Sequence, residues 1–345
     1  METDERGVAV WRGQEITGAD ALAQVYRDVT LVTALDPSTA EQVGGGTWTG
    51  VPTSSSTLPS LMAGMLEELR VVDGQRVLEV GTGTGYNAAL LCARLGDRLV
   101  HSVDIDPGLI ASARGRLAGL GYAPDLAAGD GRSWHPSGRR FERIIATCSV
   151  PRRLPAAWIE QAAPDAVILA DVDFGIEGGL VRVCVDGAGR ARGRFAETSG
   201  RFMAARGDAH AYPAPEPHVP YAAAVGTRPT AVSAADIRAH YPFRLLLALE
   251  LPDAQLTYHH ADDQPLALQL HTPDGSWARA PLSGGDGAEV AYGGGADLWG
   301  KVEGLWEWWC ARGRPAQEQF GYAQEAGGEV RVWHLGTGRR WGAGA

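Results

Sequence analysis

The sequence predicts an α/β fold: a mainly parallel sheet covered by helices, an antiparallel hairpin at its edge, and a smaller C-terminal α+β extension. Three observations carry this reading. Short apolar runs alternate with helix-period segments from Arg76 to Ala170, the pattern of parallel strands joined by crossover helices. A strand-like run, Leu180 to Val185, turns at Asp186-Gly187-Ala188-Gly189 and returns through Arg192-Gly193-Arg194-Phe195. Four prolines between Tyr212 and Pro220 then set off the rest of the chain. The expected organisation is a unit over 1–211, a linker over 212–220 and an extension over 221–345.

The elements follow in order. Gly18 to Leu35 reads as a helix, with Ala21, Leu22, Val25, Val29 and Val32 at helical spacing. Gly44 to Pro59 has the composition of a loop. Leu61 to Leu69 is a second helix, with Pro59 near its N-terminus. Strands are expected at Arg76–Val80, Leu99–Val103, Asp125–Ala128, Phe141–Ala146 and Ala166–Ala170. Helices are expected between them at Tyr86–Leu95, Pro107–Leu120 and Pro155–Ala162. In the extension, Phe243–Leu249 and Glu329–His334 read as strands and Asp297–Ala311 as an amphipathic helix.

Composition excludes several classes. The chain has 345 residues, 45% hydrophobic and 21% charged, which is globular and not disordered. The net charge of −10 argues against a nucleic-acid binder, since phosphate-backbone binders carry a basic stripe. No run approaches the ~18 apolar residues of a membrane span. The acidic start, Met1-Glu2-Thr3-Asp4-Glu5, lacks an export signal, so a cytoplasmic protein is expected. Cys92, Cys148, Cys184 and Cys310 lie far apart, as reduced thiols do, with no metal-ligand spacing. Lys301 is the only lysine and glycine is abundant, which we read as base-composition bias.

The most informative segment is Leu78-Glu79-Val80-Gly81-Thr82-Gly83-Thr84-Gly85-Tyr86-Asn87. A buried strand runs into glycines spaced G-x-G-x-G, and a helix follows, so the backbone can turn tightly and approach a ligand. Asp104 stands at the end of the next strand, where an acid accepts from a ribose diol. That fits either a nicotinamide dinucleotide or S-adenosylmethionine. The spacing favours the latter, because dinucleotide loops use G-x-G-x-x-G to seat a pyrophosphate. Glu79 agrees: a carboxylate there attracts a sulfonium and repels a pyrophosphate. Gly129-Asp130-Gly131 follows the third strand, where Asp130 can accept from an adenine amino group. The fold class is therefore that of a class I S-adenosylmethionine-dependent methyltransferase, Rossmann-like in its sheet.

Residues from about Thr53 to Arg206 resemble the protein-L-isoaspartate O-methyltransferases. The resemblance rests on Ser54-Ser55-Ser56-Thr57-Leu58-Pro59, on the glycine loop, on Gly129-Asp130-Gly131, on Phe141 to Thr147, and on the late run Gly189 to Met203. It implies transfer of a methyl group to an isomerised aspartate, leaving S-adenosylhomocysteine. The ester then loses methanol to give a succinimide. It also implies cofactor contacts at Ser54, Ser55, Glu79, Gly81, Thr82, Gly83, Gly85, Asp104, Asp130 and Gly131. The family's substrate serine stands two residues before the proline, and Thr57 occupies that place here. Pro164-Asp165-Ala166 also departs from the family's glycine pair.

The length beyond the hairpin, the loop Thr53-Ser54-Ser55-Ser56, and the stretch Asp297-Leu298-Trp299, Val302-Glu303, Trp309, Gly313-Arg314-Pro315, Phe320-Gly321 and Val332-Trp333 are similar to those of methyltransferases that accompany ATP-grasp ligases in making ω-ester-linked ribosomal peptides (graspetides). This resemblance implies a cyclised precursor peptide as partner, functional pairing with the ligase, and an aspartimide product. The alternative is a general isoaspartyl repair enzyme. A non-catalytic peptide-binding module is a third reading, against which the intact glycine loop argues.

An aspartyl carboxylate with a pKa near ~4 is ionised at neutral pH, so its attack on a sulfonium methyl needs no general base. Thr57 and Ser56 are the expected hydroxyl donors that orient it, with N-capping of the following helix as their structural alternative. His101 and His135 are expected to be structural or solvated. Trp299, Trp306 and Trp309 form one helical stripe suited to core packing. Trp308 lies off the stripe and is a candidate peptide contact.

Overall fold

The computed structural model describes residues 2–3, 9–14, 18, 21–136, 138–209, 224–261, 264–283 and 288–342. Its centre is a ten-stranded sheet. Five strands are parallel: β1 (Val77–Val80), β2 (Val100–Asp104), β3 (Asp125–Ala128), β4 (Phe141–Pro151) and β5 (Ala162–Asp173). The hairpin of β6 (Gly178–Val185) and β7 (Ala191–Phe195) adds antiparallel strands. Then come β8 (Phe320–Gln324), β9 (Val330–His334) and β10 (Arg340–Gly342), giving the order β10-β9-β8-β7-β6-β5-β4-β1-β2-β3.

The parallel strands read as continuous apolar runs because both faces are covered. Val77, Leu78, Ile144, Ile145, Ile168 and Leu169 are all fully buried. Helices Tyr86–Leu95 and Pro107–Gly119 match expectation closely. The second is capped by Asp106, whose carboxylate accepts from Gly108 N and Leu109 N.

Several expectations are corrected. The hairpin does not end the sheet: β7 pairs antiparallel with β8, so the last three strands of the chain continue it. The extension over 221–345 is thus divided. Residues between 226 and 293 build a separate five-stranded antiparallel sheet, while β8–β10 belong to the central one. The expected linker over 212–220 lies outside the described residues. One continuous apolar cluster joins the two regions, with Phe174 and Phe195 sharing it with Phe243, Leu246 and Trp309.

Phe243–Leu249 is not a strand but part of a helix, Tyr241–Glu250. A short, largely apolar run has no clear period to separate the two, and Pro242 in the first turn with leucines that are not β-branched decides for helix. The expected helix Gly18–Leu35 shrinks to Ala21–Val25, and Leu31–Leu35 is a strand paired with Pro52–Ser56 inside the expected loop. Its β-branched Val32 and Thr33 suit that state. A further small sheet joins Ala9–Arg12 to Thr47–Thr49, from either side of Leu31–Leu35 in the chain. The helix after Pro155 is only Ala156–Glu160, because β5 starts at once.

The helix Leu298–Cys310 forms as expected, and it buries Trp299 and Trp309. Trp308 is half-buried. The guanidinium carbons of Arg312 and Arg339 lie 4.5 and 5.1 Å from its ring centroid, and His334 and Trp341 meet it edge to face. The ring is used in packing, not held out toward a peptide.

Candidate active site

The order of the parallel strands reverses between β1 and β4, and a cavity opens at their carboxyl ends, as such switch points dictate. It encloses about 540 Å³, the size of a small-molecule site. Most of its lining comes from the strand ends, the segment Pro52–Leu61 and the segment Thr198–Arg206, with Trp11, Thr30 and Val32 added from the N-terminal part of the chain.

On the sheet side, Gly81 follows β1 with φ +98°, and a Cβ there would sit 2.5 Å from Thr147 Oγ1. Thr147 itself donates to Gly81 O at 2.7 Å, closing the two strand ends together. Gly131 is equally constrained, since a Cβ would sit 2.4 Å from Val80 Cγ1. Asp104 ends β2 and is buried. Its Oδ2 accepts from Gly83 N at 2.8 Å and its Oδ1 from Asp106 N at 3.1 Å. Each oxygen keeps one lone-pair direction, enough for two vicinal hydroxyls. Burial raises its pKa, with the two backbone N–H groups pulling the other way.

Asp130 lines the same cavity but is engaged. Arg132 donates to it from its backbone N at 2.9 Å and from Nε and Nη2 at 3.0 and 2.8 Å. Partial burial works to raise its pKa, but the bonds and charge of Arg132 outweigh it and hold the carboxyl below the ordinary range.

Glu79 departs most from a simple sulfonium partner. It is fully buried, accepting from Asn87 Nδ2 at 2.7 Å and from Ser102 Oγ at 2.5 Å. Burial pushes its carboxyl up to about 7, against those two bonds, and Asp104 adds to the rise. Thr82 is buried in the same network, its Oγ1 2.6 Å from Ser102 Oγ. Ser55, Ser56, Thr57, Glu79, Thr82 and Asn87 border a small side space of about 40 Å³, room for one small polar group. Gly85 lines neither space. It is the N-cap of Tyr86–Leu95 at φ +82°, packed on Ala113.

The Ser/Thr segment reaches the cavity because Pro52–Ser56 pairs with Leu31–Leu35. Buried Ser54 Oγ accepts from Thr33 Oγ1 at 2.9 Å. Ser54, Ser55 and Thr57 line the main cavity, and Ser56 the side space. Helix Pro59–Leu69 takes no cap from Thr57: its N-cap is Leu58, and Asp28 accepts from Ser60 N at 3.0 Å instead. The Thr57 hydroxyl is therefore not used by the helix.

The third wall is anchored by Arg201. It pairs with Asp171 and Asp173 at 3.3 Å each and with Glu177 at 2.5 Å. Arg244 in Tyr241–Glu250 completes Glu177 at 2.8 Å. With three carboxylates about it, Arg201 holds the wall and is not available as an anion binder. Gln317 Nε2 fixes the start of this segment through Glu197 O at 2.6 Å.

Sequence reasoning passed over Arg132, Thr147, Trp11 and the segment Thr198–Arg206, all of which line the cavity. Arg132 directly follows Gly129-Asp130-Gly131 and Thr147 closes the run Phe141 to Thr147, so their place at strand ends was a usable signal. Thr198–Arg206 overlaps the late run Gly189 to Met203 but has no residue pattern that marks a cavity wall, and Trp11 stands in no recognised run. His101 is buried beside Asp125, and neither it nor His135 lines the cavity. Among the described residues no cluster of His, Cys, Asp or Glu suits a metal, and no helix is long and apolar enough to cross a membrane. The set fits S-adenosylmethionine: Asp104 offers free acceptor directions for a ribose, and Gly81 and Gly131 leave room that a side chain would fill.

Known proteins agree with this geometry. A family model described as protein-L-isoaspartate(D-aspartate) O-methyltransferase matches residues 19–192, half of the chain. A protein-L-isoaspartate O-methyltransferase of Anaeromyxobacter dehalogenans is 42% identical over 132 residues, 38% of this chain and 62% of its own. One from Gloeobacter violaceus is 37% identical over 115 residues, 33% of this chain and 55% of its own. The chain thus spans about half to three fifths of the length of these relatives. A solved structure described as a protein-L-isoaspartate O-methyltransferase aligns over 92% of this chain and 89% of its own, at TM-score 0.50 and 21% identity. That likeness of fold runs past residue 192 into the C-terminal extension, so the extension alone does not set this chain apart.

Proposed function

The chain belongs to the protein-L-isoaspartate(D-aspartate) O-methyltransferase family, and on that premise we propose that it transfers a methyl group from S-adenosylmethionine to an isoaspartyl or aspartyl carboxylate of a peptide or protein. The observation that supports this is the meeting of Asp104 and Asp130 with the uncapped Thr57 hydroxyl in one cavity. S-adenosylmethionine, when bound, supplies an electrophilic methyl on a positive sulfur. Asp104 accepts from the ribose, and Gly81, Gly83 and Gly131 let the ligand lie against the backbone. Glu79 lies buried beneath the glycine loop, tied to Asn87 and Ser102. Thr57, with Ser56 beside it, donates to one oxygen of the substrate carboxylate and leaves the other free to attack in line. No proton has to be removed from an ionised carboxylate, so positioning and exclusion of water are the enzyme's contributions.

A narrower reading keeps the same site. The acceptor is an aspartate of a cyclised, ω-ester-linked ribosomal peptide delivered by an ATP-grasp ligase, and its ester collapses to an aspartimide. Support comes from the substitution of Thr57 for the family's serine. Mass spectrometry separates the two readings. An isoaspartyl peptide, its normal aspartyl twin and a cyclised precursor are each incubated with S-adenosylmethionine. Methylation confined to the isoaspartyl peptide supports repair. Methylation of a normal aspartate in the cyclised peptide alone, followed by net loss of water, supports peptide maturation. No ester on any of them refutes both.

A further inference from the structure

The two aromatic side chains that line the main cavity, Trp11 and Phe202, both lie outside the family-matched residues 19–192. They are not equivalent. Phe202 packs against the apolar cluster under helix Pro59–Leu69, and its N–H donates to Asp171 Oδ2 at 3.0 Å. Trp11 joins none of the apolar clusters formed by the described residues. It stands in strand Ala9–Arg12, directly opposite Trp48. Its Nε1 donates to Gly50 O at 3.2 Å, so its one polar atom is satisfied. What remains is a half-buried ring, held by the strand pairing and its hydrogen bond, whose apolar surface faces the cavity. A rigid aromatic with its N–H satisfied and its ring outside the apolar clusters has the profile of a contact anchor.

Trp11 comes from the N-terminal part of the chain, as do Thr30, Val32, Pro52 and Thr57, which line the cavity with it. Asp104 and Asp130, which serve the nucleoside, come from the sheet instead. The ring therefore stands on the side from which the acceptor is presented. We infer that Trp11 is a specificity-determining residue: it contacts the peptide residue flanking the acceptor carboxylate and selects an apolar side chain there. This inference rests on the peptide carboxyl methyltransferase reading above.

The test uses the full chain saturated with S-adenosylhomocysteine. Two short isoaspartyl peptides, alike except for Leu or Gly after the acceptor, are titrated calorimetrically. The wild type is expected to bind the Leu peptide about tenfold more tightly, the scale of one aromatic contact. Trp11→Ala should erase that preference, Trp11→Phe should keep most of it, and S-adenosylhomocysteine affinity should stay within about twofold in both. Equal affinity of the wild type for the two peptides, binding of neither, or a preference that survives Trp11→Ala overturns the inference. Turnover is measured separately: peptides that bind with the expected preference but are never esterified refute the methyltransferase reading and leave the Trp11 contact standing.

Discussion

Asp104→Asn is the sharpest test of the cofactor site. The carboxylate accepts from two backbone N–H groups, Gly83 through Oδ2 and Asp106 through Oδ1. An amide has one acceptor oxygen, so in either orientation its NH₂ faces one of those N–H groups. A bond that fixes the glycine loop becomes a donor–donor contact, and the ribose loses a charged acceptor. Hydrogen bonds to charged groups are worth roughly 1.5–3 kcal/mol each. Loss of one to the ligand, with partial loosening of the loop, amounts to about 3 kcal/mol, or ~100-fold in Kd. Calorimetric titration with S-adenosylhomocysteine measures it. Adenosine serves as a second ligand because it carries the same ribose, and its Kd should rise by a similar factor. An S-adenosylhomocysteine Kd within about threefold of wild type, in a variant that still melts cooperatively, would show that β2 does not hold the ribose.

Three further outcomes follow from other parts of the site. Thr57→Val should lower kcat/KM about 100-fold with S-adenosylhomocysteine affinity unchanged, since only orientation of the acceptor is lost; kinetics beside calorimetry checks both, and unchanged turnover removes Thr57 from the mechanism. Glu79 has a folded pKa of about 7 against an ordinary 4.5, so the folded state holds the extra proton between those values and its relative stability falls as pH rises from 4.5 to 7. Glu79→Gln should therefore raise the Tm of the ligand-free protein more at pH 8 than at pH 5, and an equal change at both is the contrary result. Gln324 accepts from Leu154 N at 2.8 Å and donates to Leu154 O at 3.0 Å, both buried. Gln324→Ala leaves that N–H and C=O unpaired and should destabilise the protein by about 2–4 kcal/mol, readable in urea melts; a loss below about 0.5 kcal/mol rejects the clamp.

The parallel half of the sheet was legible because its signals are local. Val77, Leu78 and Val80 make a short apolar run, the glycines mark the turn, and Tyr86 to Leu95 has helical period, so each element announces its own boundaries. Gly81 and Asp104 were found for the same reason, by position at strand ends. Pro52–Ser56 was not legible, since Thr53 to Ser56 has loop composition. It becomes a strand only because Leu31–Leu35 offers it a backbone partner. The burial of Glu79 depends on Asn87 and Ser102 from two other elements. Arg201 gains its role from acids far from it in the chain. Such facts belong to the tertiary structure, and no window of sequence contains them.

The pairing of β7 with β8 has a practical consequence. It joins Ala191–Arg194 to Gly321–Gln324 across a segment that builds a sheet of its own. A chain cut between residues 209 and 224 would leave β7 as a bare strand edge on one fragment and β8–β10 without a template on the other. Neither piece should be soluble alone, because an unpaired strand edge invites self-association. Produced together, the two fragments have a built-in docking rule, the register Ala191↔Gln324 to Arg194↔Gly321. The protein is thus suited to fragment complementation, with recovery of the proposed methyl transfer as the signal that the halves have met.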